Sequence, residues 1–139
     1  VPLIAHQVRY NLLDRAEVEQ EQLPAADEAG LGTVVFSPLA QGVLTNKYAD
    51  GVPVASRAAK GSPFIERYLH DECLTYARRV QAVAQARGQT PAQTALAWTL
   101  RDPRVASAVT GASRVEQIRE NVAALENLAF EEVELAALS

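Results

Sequence analysis

Three short apolar runs divide the chain into repeating strand and helix segments. They span residues 1–8, 33–39 and 105–112, are rich in Val or Ile, and are bounded by turn residues. Continuous apolar runs of this length are typical of strands buried on both faces of a parallel sheet. Each run precedes a stretch with apolar residues at helical spacing, so the pattern predicts alternating strands and helices.

Start and stop signals mark the helices between these runs. The stretch 15–29 is rich in Glu, Gln and Ala, and its Pro24 marks a helical first turn or a kink. A glycine pair, Gly30 and Gly32, follows it as a helix stop and a tight entry into the next strand. A long polar loop then leads to a helix predicted over 63–87, where apolar residues recur at helical spacing.

Two capping boxes mark further helices. In a capping box, a Ser or Thr side chain and the Gln or Glu three residues later satisfy each other's backbone N–H groups. They predict helices opening at Thr90 and Ser113 and ending near residues 101 and 128, and a last helix covers 131–138. The order β-α-β-αα-β-αα implies right-handed parallel crossovers, and hence an α/β fold.

The predicted sheet is incomplete. Three parallel strands alone leave two unpaired edges and no closed core. We therefore expect the remaining strands to come from outside this chain. The chain begins with Val1 and contains no Met, which fits a piece of a longer protein.

Composition excludes several classes of protein. A 139-residue chain with 48% hydrophobic residues has enough apolar side chains for one core, which excludes a disordered chain. A net charge of −4 argues against nucleic acid as a partner. We find neither an apolar run long enough to span a membrane nor a secretory signal. The lone Cys73 excludes a disulfide framework and fits a cytoplasmic location.

Candidate binding residues follow the first two strands, where ligands bind in α/β folds. Gln7 is expected to be a buried amide that can donate and accept at once, with a satisfied core residue as the alternative. The segment 36–48 begins with Phe36, an aromatic stacking surface, and Lys47 and Arg57 add two cations suited to phosphate. A solvated loop is the alternative for that segment.

A third candidate follows the third strand. At 111–114, a helix opens with free backbone N–H groups, the Ser113 hydroxyl and the Arg114 guanidinium, a combination that can hold a phosphate. Gln117 lies over the same helix end, and Glu120 with Asn121 follow one turn later. Any helix has an N-cap. What distinguishes this one is that three cations, Lys47, Arg57 and Arg114, would lie at the same end of the strands.

Other site types have little support. His6 and His70 are far apart, with no Cys or carboxylate pattern at metal-ligand spacing, so we expect no metal site. The sequence contains neither a Walker loop nor a GxGxxG motif. Cys73 is placed in the middle of a predicted helix on its apolar face, as an inert core thiol.

Several separated motifs together resemble the aldo-keto reductase family. The resemblance covers nearly the whole chain and is closest to the branch with potassium-channel beta subunits and bacterial glyceraldehyde-type reductases. The residues that carry it are Phe36-Ser37-Pro38-Leu39-Ala40-Gln41-Gly42 with Thr45, Lys47 and Tyr48, then Ser56-Arg57, Ala95-Leu96-Ala97-Trp98, and Gly111-Ala112-Ser113-Arg114 with Glu116-Gln117 and Glu120-Asn121.

The resemblance implies a (β/α)8 TIM barrel that binds NADP(H) in an extended pose and reduces small carbonyl compounds by hydride transfer. This chain then corresponds to strands six to eight with their helices, and residues 1–139 are a partial barrel domain whose N-terminal half is missing. That missing half becomes the expected partner.

The same resemblance implies roles for individual residues. Gln7 contacts the nicotinamide carboxamide, and Phe36 stacks on the ring, where many relatives carry Tyr or Trp. Residues after the second strand line the pyrophosphate and ribose, and those after the third hold the 2′-phosphate and the adenine. The implied cofactor-binding residues are Gln7, Phe36, Ser37, Pro38, Leu39, Gln41, Gly42, Lys47, Arg57, Gly111, Ser113, Arg114, Gln117, Glu120 and Asn121.

The family's catalytic tetrad of Asp, Tyr, Lys and His has no matching motif in this chain. We therefore expect the chain alone to be inactive, as the cofactor-binding part of an NADP(H)-dependent reductase. Two alternatives stay open: a non-catalytic NADP-binding or regulatory module, and an inactive remnant of a reductase.

Overall fold

A parallel three-stranded sheet forms the centre of the fold. The computed structural model describes residues 2–48 and 63–139. Its strands are β1 (Ala5–Arg9), β2 (Gly32–Phe36) and β3 (Val105–Val109), in the spatial order β1-β2-β3. Both neighbouring pairs are parallel, so the predicted α/β fold with a parallel sheet is confirmed, although each strand is shorter than its apolar run.

Helices and helical turns fill the connections between the strands. Within the described residues they are a π-helical turn (Val18–Gln22), α1 (Leu23–Glu28), two 3-10 turns (Ala40–Gly42 and Asn46–Tyr48), α2 (Pro63–Glu66), α3 (Asp71–Ala86), α4 (Pro91–Leu100), α5 (Val115–Ala123), a 3-10 turn (Ala124–Glu126) and α6 (Glu132–Ala137). None of the described helices is both long enough and apolar enough to cross a membrane.

The two faces of the sheet differ in what covers them. Side chains alternate between the faces of a strand, and Val8, Val35 and Val105 are buried on one of them, the covered face. The other, the open face, carries Gln7, Arg9, Val34, Phe36, Ser107 and Val109, which lie side by side in register. The expectation of strands buried on both faces is therefore wrong for the described residues, because their helices pack on the covered face.

The helical segment after β1 adapts to Pro24. A proline cannot donate a backbone hydrogen bond to the preceding turn, and the helix widens there into the π-helical turn. The N–H of Leu23 donates to the carbonyl of Val18, five residues earlier. Gly30 ends the segment at φ +69°, as predicted, and the Leu31 N–H donates to the Ala26 carbonyl at 2.8 Å.

The helix predicted over 63–87 is broken into α2 and α3. Tyr68 and Leu69 form a turn whose N–H groups donate to carbonyls only three residues earlier, and His70 is extended at ψ 159°. The Tyr68 side chain is buried there and its hydroxyl donates to Asp14. Apolar spacing alone does not reveal such a break, because tertiary hydrogen bonds cause it.

Helix α4 lies at the centre of the core. The Thr90 capping box is confirmed: the Gln93 N–H donates to Thr90 Oγ1 at 3.2 Å, and the Thr90 N–H donates to Gln93 Oε1 at 2.9 Å. Trp98 is buried against the Tyr10 ring, with 5.1 Å between the ring centroids. The Arg101 guanidinium covers the Trp98 ring at 4.0 Å.

The capping box predicted at Ser113 and Glu116 is wrong. The N-cap of α5 is Arg114, which has no side-chain capping bond, and Ser113 pairs with Gln117 instead. The helix ends at Ala123, short of the predicted 128, and continues as a 3-10 turn. The tighter turn starts where Ala124 becomes buried.

Candidate functional site

The carboxyl ends of the three strands meet at one edge of the sheet. Because β2 is parallel to both of its neighbours, the segments that leave the three strands do so on the same side. These segments begin at Tyr10, Ser37 and Thr110. Most of the residues predicted to bind a cofactor lie on them, so the fold brings together what the sequence separates.

Gln7 and Phe36 lie on the open face near this edge. The Gln7 side chain is exposed, so the prediction of a buried amide is wrong. The reason is that Gln7 alternates along β1 with the buried Val8 and therefore lies on the open face, away from the core. Phe36 ends β2 on the same face and is 37% exposed. An amide and an accessible aromatic surface therefore share one face.

The loop after β2 holds unusual backbone conformations. Ser37, Ala40 and Gln41 have φ values of 54°, 46° and 59°, in the left-handed region that disfavours residues with a side chain. Each costs on the order of 1 kcal/mol, and such strain tends to occur at functional sites. The loop keeps this shape because the Gln41 Nε2 donates to Ser37 Oγ at 3.0 Å, and because Pro38 is buried.

Asn11 anchors this loop to the end of β1, a role that the sequence analysis missed. It is fully buried, and its Nδ2 donates to the Ser37 carbonyl at 3.0 Å. Its Oδ1 accepts from the N–H groups of Leu13 at 2.8 Å and Asp14 at 3.0 Å, as in an Asx turn. The available signal was an Asn three residues after the first predicted strand.

The second half of the loop places a cation beside a glycine. Gly42 has φ +98°, and a side chain there would contact the Lys47 stem at 3.6 Å. Thr45 stabilises the turn, since its hydroxyl donates to the Gly42 carbonyl at 2.7 Å and accepts from the Lys47 N–H at 3.1 Å. Lys47 is exposed and Leu39 half-buried. Arg57, the second predicted cation, lies outside the described residues.

The segment after β3 presents polar groups at the start of α5. Gly111, Ser113 and Arg114 are exposed. Gln117 is tied to Ser113, because its Oε1 accepts from the Ser113 N–H at 2.8 Å and the Ser113 hydroxyl lies 3.2 Å away. A hydroxyl, a guanidinium and a helix N-terminus thus stand together, which is the donor set that a phosphate requires.

Two further predicted residues lie one turn along α5. The Asn121 Nδ2 donates to Thr110 Oγ1 at 3.4 Å. The Glu120 backbone carbonyl accepts from Gln93 Nε2 at 3.1 Å, which fastens α5 to α4. Their half-buried side chains lie on the helix that begins at the carboxyl edge.

A charged cluster around Asp14 was not predicted. Arg9 Nε lies 3.2 Å from Asp14 Oδ2, and Arg67 lies 3.2 Å from Asp14 Oδ1. The Tyr68 hydroxyl donates to the same carboxylate. Burial and that hydrogen bond raise the pKa of Tyr68 to about 12. The cluster borders a cavity of about 530 Å³ that Phe36 also lines.

Cys73 and His70 form a pair that the sequence analysis did not foresee. Cys73 Sγ lies 3.2 Å from His70 Nε2. Cys73 is in the first turn of α3 rather than in the middle of a helix, because the predicted helix is broken before it. Burial raises the pKa of its thiol, which favours the unreactive form. Among the described residues no three His, Cys, Asp or Glu side chains could share a metal ion.

A family model and the similar proteins point to the same family. The model of the aldo/keto reductase family matches residues 1–139. The L-glyceraldehyde 3-phosphate reductase of Escherichia coli strain K12 is 43% identical over 142 residues, covering 99% of this chain and 41% of that protein.

Two further relatives carry a different description. A putative voltage-gated potassium channel subunit beta of Schizosaccharomyces pombe is 41% identical over 127 residues, covering 88% of this chain and 37% of that protein. A probable voltage-gated potassium channel subunit beta of Oryza sativa subsp. japonica is 42% identical, covering 88% and 38%. The chain therefore spans about two fifths of the length of these curated relatives.

Proposed function

Because the chain belongs to the aldo/keto reductase family, we propose that it carries the cofactor-binding part of an NADP(H)-dependent oxidoreductase. The bound nicotinamide supplies a hydride that is exchanged with the carbonyl or alcohol carbon of a small substrate. The observation that carries the proposal is the shared position of Gln7 and Phe36 on the open face, beside a strained, cation-bearing loop.

The donor set fits a dinucleotide phosphate. Phe36 offers a ring surface to the nicotinamide, and the exposed Gln7 amide is free to rotate toward a carboxamide, because it is not packed into the core. Lys47 supplies a cation next to the backbone of Gly42, where the absence of a side chain allows a pyrophosphate to approach. Arg57 is proposed for the same role.

The start of α5 supplies the preference for the 2′-phosphate. Arg114 is exposed, and among the described residues its guanidinium has no ion pair or hydrogen bond. Ser113 and Gln117 hold each other in place beside it. We assign these three residues to the 2′-phosphate and place the adenine against Glu120 and Asn121.

The proton donor is assigned to the part of the barrel outside this chain. Tyr10 and Tyr76 are not assigned this role, since their hydroxyls donate to Glu19 and to the Leu138 carbonyl and are therefore already engaged within the fold. General-acid help contributes about 10²- to 10⁴-fold in rate. The chain alone should therefore bind cofactor without measurable turnover.

The exposed apolar surfaces support a C-terminal part of a (β/α)8 barrel. Four residues of α5 and the turn after it, at helical spacing, are more than half exposed, and Val109 on the open face is 51% exposed. These four are Val115, Ile118, Val122 and Leu125. Strands β1 and β3 each leave one edge unpaired in the described sheet. A set of further βα units would pair both edges and cover these residues.

The proposal is tested by calorimetric titration of the chain with NADPH and NADH. We expect tighter binding of NADPH, and an Arg114→Gln variant should lose about 10- to 100-fold in NADPH affinity with little change for NADH, because one charge-assisted bond to a phosphate is removed. Arg119→Gln, an exposed cation on the same helix, is the matched control.

Two results would contradict this proposal. Equal affinity for NADPH and NADH would remove the assignment at α5. Oxidation of NADPH by the chain alone with a small aldehyde would show that its own residues supply the acid.

A non-catalytic regulatory module is the second candidate function. The apolar stripe on α5 favours it, because a surface of this kind can contact another protein as well as another part of a barrel. The complete protein would then bind NADPH and reduce no carbonyl compound. Turnover of a small aldehyde by the complete protein would exclude this candidate.

A further inference from the structure

We propose that Arg9, together with Arg67, binds an anionic group on the carbonyl substrate. The inference rests on the proposed function, since it places the substrate beside the nicotinamide on the open face. It adds a substrate class, namely carbonyl compounds that carry a carboxylate or a phosphate.

The register of the sheet places Arg9 next to the proposed nicotinamide position. Arg9 is the direct partner of Phe36 across the β1–β2 ladder, and both side chains belong to the open face. The Tyr10 N–H donates to the Phe36 carbonyl at 3.4 Å, which locks this pairing at the strand end. A substrate over the nicotinamide ring would therefore lie within reach of the long Arg9 side chain.

The Arg9 guanidinium is only partly satisfied by the protein. Its Nε is buried and forms no well-aligned hydrogen bond in the described part of the chain, although Asp14 Oδ2 lies 3.2 Å away. The side chain is 40% exposed and lines the cavity. A planar guanidinium with free outer N–H groups is suited to bidentate contact with a carboxylate or phosphate.

The charges around the cavity leave a positive excess. Arg9 and Arg67 share the single carboxylate of Asp14, each on a different oxygen. Among the other charged residues lining the cavity, Arg15 and Glu17 offset each other. Arg15 donates to the Leu138 carbonyl at 2.9 Å while it lines the cavity, so its charge still counts there. One positive charge therefore remains for an incoming anion.

Asp14 acts as a positioning residue in this arrangement. Its backbone N–H donates to Asn11 Oδ1 at 3.0 Å, and its carboxylate accepts from the Tyr68 hydroxyl. With its backbone and side chain both held, it fixes where the two guanidinium groups stand. A rigid pair of guanidinium groups loses less conformational entropy when it binds an anion.

The experiment compares substrates of the same length with and without a charge. The complete protein, with this chain in its barrel, is assayed with NADPH and either butanal, 4-oxobutanoate or 3-oxopropyl phosphate. Binding of 4-oxobutanoate to the NADP⁺-loaded protein is measured by calorimetry as a readout without turnover. The variants are Arg9→Gln and Arg9→Lys, with Arg104→Gln as the matched control. Arg104 is also paired with an aspartate, at 2.7 Å, but at the opposite edge of the sheet.

We expect Arg9→Gln to raise KM for the anionic aldehydes about 10- to 100-fold, the range for loss of a charged hydrogen bond. The KM for butanal and the Kd for NADPH should change less than about twofold, a change too small for a lost charged hydrogen bond. Arg9→Lys should recover part of the lost affinity for these aldehydes. The preferred anion is the one, carboxylate or phosphate, whose aldehyde shows the larger rise in KM in Arg9→Gln. Arg104→Gln should change none of these values.

Four results would overturn the inference. Equal KM changes for butanal and the anionic aldehydes would make Arg9 merely structural. A weaker Kd for NADPH in Arg9→Gln would assign Arg9 to the cofactor phosphates. If the wild type binds NADPH tightly but shows no preference for anionic aldehydes, the proposed function stands and this substrate class is removed. If the wild type does not bind NADPH, the proposed function and the substrate class are both removed.

Discussion

The covered and open faces of the same three strands behave as two different surfaces. On the covered face, Val35 is fully buried and Val8 is 6% exposed, whereas on the open face Phe36 and Val109 are 37% and 51% exposed. Burial of apolar area contributes roughly 25 cal/mol per Å², so the side chains of the covered face stabilise the fold more than those of the open face do. The open face leaves apolar and polar side chains accessible, as the proposed cofactor binding and contacts with other βα units require.

The largest expected effect comes from removing a buried aromatic side chain, compared with removing an exposed one on the open face. Trp98→Ala should lower the free energy of unfolding by about 3–5 kcal/mol, because it empties the buried position between Tyr10 and Arg101. Phe36→Ala, on the open face, should cost far less stability and instead weaken cofactor binding. Urea unfolding of both variants measures the difference. Equal losses of stability would show that the open face is packed in solution.

An intermediate effect is expected at Asn11, which ties the end of β1 to the loop after β2. Asn11→Ala removes the side chain that holds the Ser37 carbonyl and two backbone N–H groups. Leaving buried polar groups unpaired costs about 1–3 kcal/mol, and the loop after β2 should lose its binding shape as well. Asn127→Ala, at an exposed position directly after the 3-10 turn and outside the proposed cofactor site, is the control. Thermal melting and NADPH titration of both variants compare them, and a neutral Asn11→Ala would refute the anchoring role.

The smallest expected effect is a pH dependence of the stability that Tyr68 contributes. The pKa of Tyr68 is raised to about 12 from an ordinary value of 10, by burial and by its hydrogen bond to Asp14. Its contribution to stability is therefore fully present below pH 10 and is lost as the pH rises toward 12. The stability difference between the wild type and Tyr68→Phe should narrow over this range. Urea unfolding between pH 9 and about 11.5 tests this, since a constant difference would mean that Tyr68 titrates normally.

Local signals predicted the elements whose structure depends on neighbours in sequence. The Thr90 capping box and the helix stop at Gly30, with φ +69°, are both confirmed. Each depends on backbone groups within a few residues, where turn and capping chemistry is decisive.

The same kind of signal failed at Ser113 and at Tyr68, where the side chains have other partners than the pattern assumes. Ser113 matches the capping pattern, but its backbone N–H bonds to Gln117 rather than entering a box with Glu116. The helix predicted through Tyr68 breaks because the phenol bonds to Asp14, 54 residues away. A pattern of spacing contains no information about such partners.

The candidate site divides in the same way. Its residue types and order along the chain, from Gln7 through Phe36 to Arg114, are readable from the sequence and from its family resemblance. The exposure of Gln7, the strain in the Ser37 loop and the cluster of Arg9 with Asp14 are not.

The sequence by itself determined the fold class and the parallel order of strands and helices, because periodicity, caps and turns act over a few residues. Only the tertiary structure decided which face of the sheet stays open and which charged groups meet at its carboxyl edge. Those outcomes depend on register and on long-range hydrogen bonds, such as the Asn11 bond to Ser37. The register pairs Arg9 with Phe36 across two strands that are distant in sequence, and this pairing turns separate residues into one site.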